Sequence, residues 1–151
     1  NRSNDVELDF DFDKVKEKTK DNPVFYVQYA FARINSLHRI LKIDINSKII
    51  LNKNNFDLNI YEKKIIRKIF EWPKVVESAS KKFDIHKIPF YLYELSTLFH
   101  SYWSKGNEDR KFKFIENEKI KRVEILSIVK LVTIVISNGM KILGVSLPKK
   151  M

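Results

Sequence analysis

Residues 22–34, NPVFYVQYAFARI, decide the fold. Asn22 can cap a helix, and Pro23 suits the first helical position because an N–H there would be unpaired in any case. Apolar residues then recur at three- and four-residue steps, which is typical of a helix that packs one face against a core. This series consists of Val27, Ala30, Ile34, Leu37 and Leu41. We therefore predict a helix from residue 23 to about residue 42.

A second face of this helix carries Tyr26, Tyr29 and Arg33. They follow the same three- and four-residue steps, so they lie side by side next to the apolar seam. Two aromatic rings beside a guanidinium are an unusual addition to a core helix, and any function proposed for the chain must account for them. His38, near the end of the seam, is interpreted as a structural residue.

Size and composition narrow the class of protein. A chain of 151 residues is long enough for one domain with a core of its own. Because it contains no cysteine, it has no disulfides, thiolate metal sites or cysteine nucleophile, which fits the reducing cytoplasm. With only three glycines and four prolines, long helices are favoured over strands. A net charge of +10 favours phosphate backbones or anionic lipid as a partner. The alternative is a solvated basic surface without a partner.

No membrane span is expected from the sequence. The longest apolar run, residues 125–136, contains Ser127, Lys130 and Thr133 and is shorter than the ~20 residues that a spanning helix needs. The chain opens with NRSND, without an initiator methionine or a signal peptide, so we expect a fragment of a longer protein.

The first half of the chain is predicted to join a linker to a helical domain. Residues 1–20 are interpreted as the linker, in which LDFDFD fits either a short strand or an extended lead-in, and residues 21–151 as the domain. Residues 44–59 are polar and without periodicity, which predicts a loop. A helix is predicted over residues 60–72, with Pro73 ending it and starting another.

The second half is predicted to contain two long helices. The first covers residues 89–105 and is followed by a charged loop at residues 106–117. The second, residues 118–143, is apolar on most sides and is expected to be the central, most buried helix. Gly139 inside it predicts a close approach of a neighbouring element, and Gly144 predicts its end.

Two surface patterns have competing interpretations. In the helix over residues 89–105, the seam Leu92, Leu95, Phe99 and Tyr102 is accompanied by a second stripe at helical steps. That stripe either completes a wide core face or faces RNA or another partner. It consists of Tyr93, Ser96, His100 and Trp103. The densest basic patch is either a solvated helix face or a set of candidate phosphate contacts. The patch consists of Lys63, Lys64, Arg67 and Lys68.

No catalytic or metal-binding motif is present in the sequence. The three histidines, His38, His86 and His100, have no cysteine partners and no HExxH spacing, so we expect no metal site. The chain also contains no GxxxxGK[ST], GxGxxG or GxSxG motif. We therefore expect no catalytic residues in this fragment, which alone should be inactive.

Four blocks, in register along the whole chain, resemble the C-terminal region of arginyl-tRNA synthetases. DNPVFYVQYAFAR is similar to the start of their DALR-type anticodon-binding domain, whose usual form is close to DNPVFYVQYAHAR. LDFDFDKVKEKTKD resembles the segment that leads out of the catalytic core. YLYELSTLFHSYW resembles YLxELAxxFHxFY, and NGMKILGVSLPKKM resembles the closing GLxLLGVxxPExM. Phe31 stands where the family usually has histidine, and Lys149 where an acidic residue is common.

The resemblance implies a fold and a function. It implies an all-α bundle of the class I aminoacyl-tRNA synthetase anticodon-binding type, which recognises the anticodon loop of arginine tRNA. The parent enzyme would join arginine to tRNA with ATP and Mg²⁺, as a cytoplasmic protein and a monomer. The HIGH-type and KMSKS-type catalytic signatures of the family are absent here, so this fragment would hold no cofactor.

The resemblance also implies a set of contact residues. For anticodon binding they are Tyr26, Gln28, Tyr29, Ala30, Arg33, Tyr102, Trp103 and Met151. This transfer is reasonable because unstacked RNA bases are read by stacking on aromatic rings and guanidinium planes. The other hypothesis is a helical protein-interaction module with a basic surface and no RNA specificity. Only the first hypothesis accounts for both the FYVQYA block and the ending of the chain.

Overall fold

Four helices, a short 3-10 helix and one hairpin form the part of the chain that the computed structural model describes, residues 22–44 and 57–151. The elements in order are α1 (Pro23–Leu41), α2 (Ile60–Lys82), α3 (Lys87–Glu108), the 3-10 helix (Arg110–Phe112), β1 (Ile115–Glu116), β2 (Lys119–Ile120) and α4 (Val123–Ile142). The predicted all-α bundle is confirmed. The predicted linker, and all but the ends of the predicted loop at residues 44–59, lie outside the described residues.

Helix α1 forms as the sequence predicts. The Asn22 side chain accepts hydrogen bonds from the backbone N–H groups of Val24 and Phe25 at 3.1 and 3.3 Å, which satisfies two donors at the start of the helix. The helix ends at Leu41, and Lys42 caps it in a left-handed conformation. Four of the five seam residues are buried to 3% exposure or less, and Leu41 packs partly buried against the same core.

Helix α2 contradicts the prediction that Pro73 separates two helices, because it continues through that residue. Proline removes one N–H from the helical ladder, yet residues on both sides of Pro73 pack on the same core. On the N-terminal side of Pro73, the Tyr91 hydroxyl of α3 donates a hydrogen bond to the backbone carbonyl of Lys68, and the ring of Trp72 lies 5.2 Å from the Tyr91 ring. Tertiary packing therefore keeps the helix continuous where local propensity would end it.

Helix α3 lies between α1 and α2 and is longer than predicted at both ends, since it begins at Lys87 and extends to Glu108. Its predicted seam is confirmed, with Leu92, Leu95 and Phe99 fully buried. Gly106 does not end the helix. A Cβ at Gly106 would lie 2.9 Å from the carbonyl oxygen of Phe112, so glycine is needed there for the 3-10 helix to pack closely.

Residues 115–120, predicted as loop and helix start, form a hairpin instead. Asn117 and Glu118 both have positive φ, as a tight two-residue connection between antiparallel strands requires. Helix α4 therefore begins at Val123 rather than residue 118. Its predicted end is confirmed by Gly144, which has a left-handed φ of 69°.

Helix α4 packs against α1, α2 and α3. The predicted close approach at Gly139 is confirmed, because a Cβ there would lie 2.7 Å from the Leu92 side chain. The prediction of a central, most buried helix holds for one side only, since Leu131 and Ile134 are more than 40% exposed. In the described chain, one segment, Glu124–Ile142, is long and apolar enough to cross a membrane, and 56% of it is buried inside the fold, as in a core helix.

A buried carboxylate joins α2, α3 and the start of α4. Glu62 is 0% exposed, and both of its carboxylate oxygens accept hydrogen bonds from Arg122 at 2.6 Å. It also accepts from the Tyr102 hydroxyl at 2.7 Å and from the Asn59 backbone at 2.9 Å. Each carboxylate oxygen is thus hydrogen-bonded, which is the condition under which a buried charge is tolerated.

Candidate nucleic-acid interface

The two polar-aromatic stripes predicted on separate helices pack against each other. The ring of Tyr26 on α1 lies 5.1 Å from Tyr93 and 4.5 Å from His100, both on α3, and Tyr29 lies 5.4 Å from His100. Ser96 and His100 are buried in this contact, whereas Tyr29 and Tyr93 are more than a third exposed. The α3 stripe is therefore core on one side and surface on the other, which combines the two interpretations.

Arg33 occupies the centre of this surface. Its guanidinium carbon lies 4.4 Å from the centroid of the Tyr29 ring and 5.2 Å from that of Trp103. Its Nη2 donates to the Tyr29 hydroxyl at 2.7 Å, and its Nη1 lies 3.1 Å from Nδ1 of His100. The guanidinium is thus held by two aromatic rings and two neutral hydrogen-bond acceptors.

Burial sets the protonation state of this cluster. Burial lowers the pKa of His100 to about 4, and the nearby Arg33 charge acts in the same direction. Burial also raises the pKa of the Tyr26 hydroxyl. At neutral pH the histidine and the tyrosine are therefore uncharged, and the positive charge of the cluster belongs to Arg33.

The C-terminal tail lies along α1 beside this surface. The Gln28 side chain donates a hydrogen bond to the Ser146 carbonyl at 2.8 Å, and Arg39 donates one to the Lys149 carbonyl at 3.0 Å. These bonds go to the tail backbone, so the tail can be held whatever its side chains are. Met151 at its end is 51% exposed.

The profile of the DALR anticodon binding domain matches residues 27–151. The chain belongs to this family. Over its full length it is 50% identical to the arginine–tRNA ligase of Pelagibacter ubique and covers 26% of that protein. Over 99% of its length it is 42% identical to the arginine–tRNA ligase of Ruegeria pomeroyi and covers 27% of that protein. The resemblance seen in the sequence is confirmed, and the chain spans about a quarter of the length of these relatives.

Two solved structures share the fold of this DALR domain. The arginyl tRNA synthetase of Campylobacter jejuni superposes with a TM-score of 0.76 over 97% of this chain and 30% of its own, at 24% sequence identity. The arginyl-tRNA synthetase of Thermus thermophilus gives a TM-score of 0.68 over 94% of this chain and 23% of its own, at 20% identity. At these identities the likeness concerns the helical bundle itself.

Besides Gln28 and Met151 at the tail, the six other predicted contact residues of the DALR domain fall into two groups. Tyr26, Tyr29, Arg33 and Trp103 lie together on the surface just described. Two predicted contact residues are in the core, because Ala30 is 0% exposed and Tyr102 is 2% exposed with its hydroxyl bonded to Glu62. Tyr102 faces α2 because it comes one residue, about a quarter of a helical turn, before Trp103.

The predicted basic patch also divides. Lys63, Lys64 and Arg67 are exposed on α2. The Lys68 side chain is only 18% exposed and forms ion pairs with Glu71 at 2.9 Å and Glu94 at 2.6 Å. Burial disfavours its charge, but the hydrogen bonds to Glu94 and Glu71 outweigh this and raise its pKa. Its charge is therefore already compensated within the protein.

Three features of the surface were not predicted from the sequence. These are the His100–Arg33 contact, the tail bonds of Gln28 and Arg39, and a cavity of about 120 Å³ beside Trp103 that is also lined by Ile40 and Phe114. Each depends on how segments far apart in the sequence pack together, which periodicity does not specify. Within the described ranges no group of three or more His, Asp or Glu side chains is arranged to hold a metal ion.

Proposed function

We propose that this domain binds the anticodon loop of arginine tRNA as part of an arginine–tRNA ligase. The observation that carries the proposal is the Arg33 guanidinium, held between the Tyr29 and Trp103 rings at the surface. The DALR family and the relatives called arginine–tRNA ligase support it. The remaining length of such a ligase would supply the catalytic centre, with ATP and Mg²⁺, and the enzyme would act as a cytoplasmic monomer.

The surface offers what an unstacked RNA base needs. Bases splayed out of a loop stack on aromatic rings or guanidinium planes and are hydrogen-bonded at their edges, and each aromatic stack contributes ~1–3 kcal/mol. Arg33 uses one N–H for Tyr29 and one for His100, so its remaining N–H groups can donate to a base edge. Tyr29, at 37% exposure, can offer its ring face to a second base.

The other predicted residues take different parts in this proposal. Lys63, Lys64 and Arg67 are candidates for phosphate contacts, which add affinity without reading sequence. Lys68 is the weakest of the four candidates because two carboxylates already pair with it. Ala30, which is buried, brings α1 close to its neighbours rather than touching RNA.

The deciding experiment compares two tRNAs on the full-length protein that carries this chain. Fluorescence anisotropy would give Kd for arginine tRNA and for the same tRNA with its second anticodon base changed. We expect the changed tRNA to bind at least about tenfold more weakly, since one lost base stack and its hydrogen bonds exceed ~1.4 kcal/mol. Arg33→Ala and Trp103→Ala should bring the two Kd values together.

Lys64→Ala is the matched control for this comparison. It should weaken binding of both tRNAs equally and reduce the dependence of Kd on salt, because a phosphate contact does not read the base. Equal Kd values for the two tRNAs on the unaltered protein would contradict base recognition and favour a helical interaction module without RNA specificity.

A further inference from the structure

His100 is a buried polar residue next to the proposed anticodon surface. It lies on α3 where α1 crosses it, and it is 6% exposed. Its ring lies 4.5 Å from Tyr26 and 5.4 Å from Tyr29, so two aromatic rings of α1 cover it. RNA bound at Tyr29 and Arg33 would not reach the histidine without moving these rings.

The partners of the two ring nitrogens determine which one carries the proton. Nδ1 lies 3.1 Å from Nη1 of Arg33, and a guanidinium has donors only, so Nδ1 must be the acceptor. Nε2 lies 3.2 Å from the Tyr26 carbonyl, which can only accept, so Nε2 carries the hydrogen. Both contacts are satisfied by one neutral tautomer.

We propose that His100 is a positioning residue that aims the Arg33 guanidinium at the anticodon base. This rests on the proposed function of Arg33. An arginine side chain has several free rotations, and with the bond from Nη2 to the Tyr29 hydroxyl as its one hydrogen bond the guanidinium could still pivot about that bond against the Tyr29 and Trp103 rings. The bond to Nδ1 removes this freedom, because it fixes the direction in which Nη1 points.

A neutral acceptor suits this task better than a carboxylate. A carboxylate would hold the guanidinium equally well, but it would cancel the charge that attracts RNA and would itself repel phosphates. Arg122 shows the contrast, since its guanidinium binds Glu62 directly. The neutral Nδ1 of His100 holds Arg33 in place and leaves its positive charge available to the ligand.

Two substitutions separate the two hydrogen bonds of His100. In His100→Asn the amide oxygen can take the place of Nδ1 and accept from Arg33, whereas the bond to the Tyr26 carbonyl is lost. In His100→Gln the amide N–H₂ can take the place of Nε2 and donate to Tyr26, whereas the acceptor for Arg33 is lost. Both variants leave the ring pocket partly empty, so a general loss of packing affects them alike.

The measurement is the ratio of Kd values for the two tRNAs described above, on the full-length protein, with the thermal transition of each variant as the stability readout. We expect His100→Gln to reduce the ratio about tenfold and His100→Asn to keep it within about threefold of the unaltered protein, at similar transition temperatures. In the Arg33→Ala background, His100→Gln should reduce the ratio no further.

Nitrogen-15 NMR of the histidine rings gives an independent test in the free protein. At pH 7 the Nδ1 of His100 should show the shift of an unprotonated nitrogen and Nε2 that of a protonated one. Two results would overturn the positioning role alone. One is a proton on Nδ1, and the other is a ratio of Kd values that is unchanged in His100→Gln but lost in Arg33→Ala. An unchanged ratio in Arg33→Ala overturns the proposed function and the positioning role together.

Discussion

Two arginines on opposite sides of α3 are held in different ways. Arg122 donates to both oxygens of the buried Glu62 at 2.6 Å. Arg33 is held by the Tyr29 hydroxyl, the His100 nitrogen and two ring faces, and within residues 22–44 and 57–151 it forms no ion pair with a carboxylate. The first arrangement cancels charge and joins helices. The second fixes a cation and leaves its charge uncancelled.

Because of this difference, we expect Arg122 to affect the stability of the fold and Arg33 to affect RNA binding. A carboxylate with no exposed surface depends on its cation, so the Arg122 pair should govern folding. A cation at the surface does not depend on a protein anion in the same way, because water hydrates it in the absence of a ligand. At neutral pH, Arg33 and the exposed Tyr29 beside it should therefore affect RNA recognition more than the free energy of unfolding.

The largest effect is expected from Arg122→Met. This change leaves the Glu62 carboxylate buried without its cation, which should lower the free energy of unfolding by ~3–5 kcal/mol. Urea denaturation followed by circular dichroism would measure it. At a temperature where the variant is folded, the ratio of Kd values for the two tRNAs should be unchanged.

Arg110→Met is the matched control for Arg122→Met. Arg110 also pairs with a glutamate, Glu116, but its side chain is 79% exposed, so the loss should stay below ~1 kcal/mol. Adding Glu62→Gln to Arg122→Met should restore part of the stability, because it removes the buried charge. Equal losses for the two single arginine variants would show that burial of the carboxylate is not what matters.

The sequence predicted helices and their core faces better than the contacts between them. Periodicity identified the buried seam of α1 and that of α3, because each repeats along a single helix. The Glu62–Arg122 pair was not found, since sixty residues separate its members and no local pattern links them. The continuation of α2 through Pro73 was missed for a similar reason, because the packing of Tyr91 and Trp72 stabilises it from another helix.

The same contrast between patterns along one helix and contacts between helices applies to the candidate site. Helical spacing identified the face with Tyr26, Tyr29 and Arg33 and the stripe with Trp103. Resemblance to the family gave these residues a role, and the structure brings them together. The resemblance also gave Tyr102 as a contact residue, whereas helical spacing places it in the seam with Leu95 and Phe99, where the structure buries it. A one-residue step along a helix changes the face by about 100°, so Tyr102 lies in the seam while its neighbour Trp103 lies beside Arg33.

The next largest effect on the free energy of unfolding should come from lowering the pH. Burial gives His100 a pKa of about 4 in the folded protein against ~6.5 unfolded, so its contribution to stability is complete above about pH 6.5 and is lost as the pH falls toward 4. The expected loss is ~2–3 kcal/mol. The charged or titratable groups facing it are Arg33, Tyr26 and Tyr29 of α1, and the Arg33 charge disfavours protonation of the histidine.

The difference between the unaltered protein and His100→Asn isolates this histidine. His38, also buried with a pKa lowered by burial, and the carboxylates titrate in both proteins and cancel in the difference. Denaturation midpoints between pH 7 and 4.5 would provide the two curves. Parallel curves would mean that His100 is not what makes the fold sensitive to acid.

Smaller effects on stability and on tRNA binding are expected from removing one hydroxyl on each side of α3. Tyr102→Phe takes a donor away from the buried Glu62 and should lower the free energy of unfolding by ~1–2 kcal/mol. Tyr29→Phe, whose hydroxyl accepts from Arg33 at an exposed position, should change it by less than ~0.5 kcal/mol. It should still weaken binding of arginine tRNA a few-fold, because Arg33 loses one of its two hydrogen bonds.

Thermal denaturation and anisotropy on the same two variants would test this reciprocal pattern. Tyr102→Phe should keep the Kd ratio for the two tRNAs, and Tyr29→Phe should keep the transition temperature. If both variants lose stability and neither loses affinity, the aromatic surface of α1 is part of the core and not a binding surface.

The smallest effect on tRNA binding concerns the tail, where Gln28, a predicted RNA contact, donates to the Ser146 carbonyl. Gln28→Ala should weaken tRNA binding only ~2–5-fold, because Arg39 still holds the tail at Lys149. The same substitution in a protein shortened to residue 145 distinguishes the two roles. An anchor has nothing left to hold there, so Gln28→Ala should change Kd no further, whereas a residue that contacts RNA directly would lower affinity again by the same factor.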